Sequence, residues 1–66
     1  MITKEYLPER GVVILTVENP PLATTKHTIL AEALADGRVN LVEEIARLQA
    51  EADAKLVAHN AVLGML

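Results

Sequence analysis

A single helical stripe does most to limit what this chain can become. Leu41, Ile45, Leu48, Ala52, Leu56, His59, Leu63 and Leu66 recur at steps of three and four residues, the spacing of one face of an α-helix. Asn40 is a good N-cap, and Glu43 follows at capping-box spacing. Glu43 and Glu44 place acids in the first turn, where the helix dipole favours them. A long helix over residues 40–64 is expected, and its apolar face needs a partner.

Size decides what kind of partner. A chain of 66 residues forms one domain at most and buries only about 60% of its unfolded surface. There are no cysteines, so neither disulfides nor thiolate metal sites can brace it. Apolar residues make up 52% of the chain, yet Tyr6 is its only aromatic. The core must be built from Leu, Ile, Val and Ala. High apolar content without staples favours oligomerisation as the stabilising device.

The rest of the chain supplies a hairpin and a shorter helix. Val12-Val13-Ile14-Leu15-Thr16-Val17 is β-branched and apolar, the pattern of a strand buried on both faces. Ile2 to Leu7 is its more polar partner, with Lys4 and Glu5 discouraging stray edge pairing. Between them Pro8 presets a turn, and Gly11 can take the left-handed conformation that closes it. Asn19-Pro20-Pro21 ends the second strand. Thr24 or Thr25 then caps a helix over 25–36, with Ile29, Leu30, Ala33 and Leu34 as its stripe and Gly37 as its C-cap. The expected fold is α+β and mostly helical: an N-terminal β-hairpin over 2–18, a short helix and a long helix packing in a homo-oligomer, as a short bundle or coiled coil. The step of four, then four, between Leu48 and Leu56 is a stutter that argues against a long regular zipper.

The predicted interface is the full stripe: Leu41, Ile45, Leu48, Ala52, Leu56, His59, Leu63 and Leu66, with Ile14, Ile29, Leu30 and Leu34 covering its end. Two further faces accompany it. Ala46, Ala50, Ala54, Ala58 and Ala61 permit close helix approach, and Glu43, Arg47, Glu51 and Lys55 form an alternating charged series. His59 reads as a polar seam residue that fixes register. Its titration near neutrality makes pH-sensitive packing the second reading. No Cys or His stands near it at metal-ligand spacing.

Catalytic signatures are missing. The chain has no nucleophile elbow, no Gly-rich phosphate loop and no Cys nucleophile. His27 beside Thr24, Thr25 and Thr28 is adjacency, not a triad. No catalytic, cofactor-binding or metal-binding residues are expected, and the chain is expected not to be an enzyme. Net charge of −3 argues against phosphate backbones as partners. A small dimeric DNA-binding regulator is the alternative reading, in a ribbon–helix–helix-like or helix-turn-helix-like form. The strand at 12–17 offers only Thr16 for base contacts, and Asn40 to Glu44 begins its helix apolar and then acidic. Arg38 is the single nearby base that would favour it. No segment reaches the 18 or more apolar residues of a membrane span, and no signal peptide opens the chain. The expected partner is a second copy of the chain, with another protein sought on the hairpin and the Glu43–Lys55 face, in the cytoplasm.

Overall fold

The hairpin forms where the residues place it. In a computed structural model describing residues 1–66, β1 spans Ile2–Leu7 and β2 spans Val12–Val17. They pair antiparallel with Leu7 opposite Val12 and Ile2 opposite Val17. Two bonds close the turn: the Arg10 amide donates to the Leu7 carbonyl at 3.1 Å and Gly11 donates to Pro8 at 3.2 Å. Gly11 sits at φ 63°, where a Cβ would crowd the backbone.

The segment expected to open the first helix is instead a third strand. β3 covers Thr25–Leu30 and pairs antiparallel with β2, Val17 opposite Thr25 and Val12 opposite Leu30. The sheet order is β1-β2-β3, so the apolar strand is central. Thr25 starts this strand and caps nothing. The first helix, α1, is only Ala31–Ala35, with Leu30 at its N-cap and no side-chain capping bond. Two physical causes favour the strand. Thr25, Thr28 and Ile29 are β-branched. Without a third strand, β2 would leave a row of amides and carbonyls unpaired. The connecting loop runs through a cis Pro20–Pro21 bond.

Gly37, at φ 82°, ends the α1 segment in the left-handed conformation expected of it. α2 then spans Leu41–Gly64, and the Asn40 side chain accepts the Glu43 amide at 3.1 Å. The fold is therefore a three-stranded antiparallel sheet followed by a short and a long helix.

Side-chain alternation divides the sheet. Val13, Leu15 and Val17 point to α2 and form the core with Leu48 and Ala52; Ile2, Ile29, Leu34, Leu41 and Ile45 pack around them. Leu15 is fully buried. The opposite face carries Ile14 and Thr16 half-buried, flanked by Glu5, Thr28, Thr3 and Lys26. β2 is thus covered by α2 on one face, while on the other only Val12 is buried and Ile14 and Thr16 are half-buried, so it is not sandwiched as its composition suggested. Ile14 lies away from the α2 stripe and Leu30 is exposed. Of the four residues expected to cover the end of the stripe, only Ile29 and Leu34 join the core.

The two layers differ in length. Six-residue strands reach about 20 Å, whereas α2, with 24 residues, reaches about 36 Å. The Cα extents are 47 × 20 × 12 Å and the radius of gyration is 14.4 Å, against about 11 Å for a compact chain of this size. The molecule is a step: a sheet over the first half of a helix, and a bare helix beyond it.

Candidate functional site

The stripe divides at the end of the sheet. Leu48 and Ala52 are buried in the chain's own core, and Leu41 and Ile45 are half-buried beside it. This half of the predicted interface is occupied by the chain's own sheet. Leu56 and His59 are half-buried, while Leu63 and Leu66 are exposed, Leu66 at 97%. The same helical face that packs on Val13, Leu15 and Val17 therefore continues past the sheet, half-buried at Leu56 and His59 and exposed at Leu63 and Leu66.

Its chemistry is as unusual as its exposure. From Leu56 to Leu66 there is no Asp, Glu, Lys or Arg. A solvated helix of this length ordinarily carries charge on its exposed faces. Val62, Leu63 and Leu66 are all more than half exposed on or beside the stripe, apolar surface of the kind that marks interaction sites, while the exposed Val57 lies round the helix from it. No helix is long and apolar enough to cross a membrane.

At the inner corner of the step lies an open cavity of about 280 Å³. Val17 and Leu22 line it from the sheet side, Leu48 and Ala52 from α2, with Asn19, His27 and Lys55 supplying polar groups. The Asn19 side chain fixes this corner by donating to the Ala52 carbonyl at 2.8 Å, which ties the β2–β3 loop to the middle of α2. His27 is half-buried on the helix-facing side of β3, its Nε2 3.2 Å from the Thr25 hydroxyl. The volume falls just below the roughly 300–1,000 Å³ of small-molecule pockets, and the lining is mainly aliphatic.

The charged face of α2 is partly an ion-pair ladder. Arg47 bridges Glu44 and Glu51, each at 2.7 Å, while Lys55 pairs with no acid. The Arg47 hydrogen bond is the main reason the Glu44 carboxyl is held below its usual range; burial opposes it, and the charges of Arg47 and His27 assist to a smaller extent. Both carboxylates in turn raise the Arg47 guanidinium further. Arg38 is engaged with the Asp36 carboxylate at 2.7 Å. Ala46, Ala50, Ala54, Ala58 and Ala61 all face solvent. No three His, Asp or Glu side chains converge as metal ligands.

Sequence reasoning found the stripe but missed the corner. Asn19 enters the sequence reading only as a strand end, and His27 as part of the helix expected over 25–36. The signal that could have placed His27 is the alternation Thr25-x-His27-x-Ile29, which sets His27 and Ile29 on one strand face. Comparison with protein-family models, curated proteins and solved structures gives no match.

Proposed function

We propose that this chain is a small non-enzymatic protein–protein interaction module that assembles with copies of itself, and presents its remaining surface to another protein. The observation that carries this reading is the uncovered second half of the α2 stripe. Leu56, His59, Leu63 and Leu66 continue a core-forming face past the end of the core.

Surface area supports it. A monomeric protein of this mass exposes about 4,100 Å², and this chain exposes 4794 Å². The surplus of roughly 700 Å² approaches the about 800 Å² per partner of a standard interface. The site offers aliphatic surface and no convergent reactive groups, which suits binding rather than chemistry. No cofactor enters this reading, and the cytoplasm is the compartment proposed for it.

Sedimentation velocity on the intact chain and two variants tests the proposal. Leu63→Glu puts a charge on the stripe; Val57→Glu puts one on the opposite side of the same helix. An oligomer lost in the first variant and kept in the second supports the reading. A wild-type chain that sediments as a monomer at every concentration contradicts it.

A further inference from the structure

Resting on the assembly reading above, we propose that two copies join as a two-fold half-lap: the bare halves of α2 pack antiparallel, and each helix end seats in the corner cavity of the other copy. Four observations converge on this arrangement.

The first is shape. The sheet and the uncovered stripe lie on the same side of α2. A parallel partner packed on that stripe would bring its own sheet into the space already filled by the first. An antiparallel partner puts the two sheets at opposite ends. Its bare helix then occupies the layer that the sheet vacates beyond Val17. Packed helices lie about 8–10 Å apart, close to the depth of the two-layer body, whose shortest Cα extent is 12 Å.

The second is register. In an antiparallel pair, facing residues have a constant sum of numbers. Centred at His59, the stripe is its own mirror to within one residue: His59 faces His59, Ala52 faces Leu66, and Leu56 faces Val62, one position from Leu63. A two-fold interface requires this self-complementarity.

The third is the cavity. Ala52 lines the corner together with Val17, Leu22 and Leu48. The register centred on His59 therefore brings Leu66, just beyond the end of α2 and the most exposed of the large apolar residues, to the apolar part of that hollow, which Glu51 and Lys55 also line. The fourth is charge. With no Asp, Glu, Lys or Arg from Leu56 to Leu66, the centre of the contact carries no like-charged side chains, and Glu51 and Lys55 lie at its ends, beside the corner.

The chain contains no cysteine, so introduced thiols report contacts without background. The experiment mixes full-length L56C with full-length L63C under mild oxidation and measures mass by light scattering in parallel. The half-lap predicts that the mixed disulfide outweighs both homodisulfides by at least about fivefold. Positions that face to within one residue bring Cβ atoms toward the roughly 3.5–4.5 Å a disulfide needs. L63E should weaken the dimer at least about tenfold with unchanged far-ultraviolet dichroism, and V57E should leave it intact. An oligomer with dominant L56C homodisulfides, or with none of these links, overturns the half-lap and leaves self-assembly standing. A monomer at all concentrations overturns both, including one that gains helix only on phosphatidylcholine vesicles.

Discussion

Leu15 has the most to lose of any side chain. It is fully buried at the centre of the sheet, against Leu48 and Ala52. Leu15→Ala should cost about 2–5 kcal/mol, where a domain this small rarely holds more than about 3–5 kcal/mol from a single core. Urea titration followed by circular dichroism should find L15A largely unfolded at 25 °C before denaturant is added; a midpoint near wild type would refute the core assignment. Gly11 acts through its backbone alone. A Cβ there would meet no atom within 4 Å, but φ is 63°. Gly11→Ala should therefore cost about 1–2 kcal/mol from the left-handed conformation, and an unchanged melting temperature would refute that. Glu44 sets a pH dependence. Its folded carboxyl is held low chiefly by the Arg47 hydrogen bond, so its contribution is present above the unfolded pKa and fades as pH falls through the folded one. Glu44 is half-buried but its partner Arg47 is exposed, and solvent screening keeps the effect small. Glu44→Gln should lower the melting temperature slightly at neutral pH and leave it equal to wild type once both carboxyl forms are protonated. A gap that widened in acid would contradict the ion pair.

At the scale of elements, two halves of one helix perform different tasks. Leu48→Ala should remove about 2–5 kcal/mol of folding stability, since Leu48 is 2% exposed. Leu63→Glu should leave the fold intact and act on association alone. Hydrogen exchange gives a second view: amides beyond Leu56 should be protected at high protein concentration and lose that protection on dilution, while those near Leu48 stay protected. Concentration-independent exchange in the bare half would contradict its role as an interface. This division was only half legible in the sequence. The stripe, the Asn40 cap and the first hairpin are local patterns, written in spacing and turn residues. β3 was not legible, because Ile29, Leu30, Ala33 and Leu34 also satisfy helical spacing. A twelve-residue helix is marginal alone, and the open edge of β2 settles the competition from outside the segment. The covering of Leu41 to Ala52 by the sheet is likewise non-local: periodicity shows that a helix face is apolar, not what lies against it.

The whole molecule is a step whose long layer outruns its short one, and the exposed Val57, Val62, Leu63, Met65 and Leu66 belong to the part that protrudes. Thermodynamically, such a chain gains by pairing: dimerisation stabilises folding by mass action, so its melting temperature should rise with concentration. The loop tie between Asn19 and the Ala52 carbonyl holds the corner where the layers part. Asn19→Ala should thus weaken assembly as well as folding, which separates it from Leu63→Glu.

Absolute mass by light scattering after size exclusion, over a hundredfold dilution, tests self-assembly most directly. The account predicts about 14 kDa, twice the chain mass of 7.1 kDa, at the highest concentrations, with decline toward the monomer on dilution. A folded particle of 7.1 kDa throughout would contradict it.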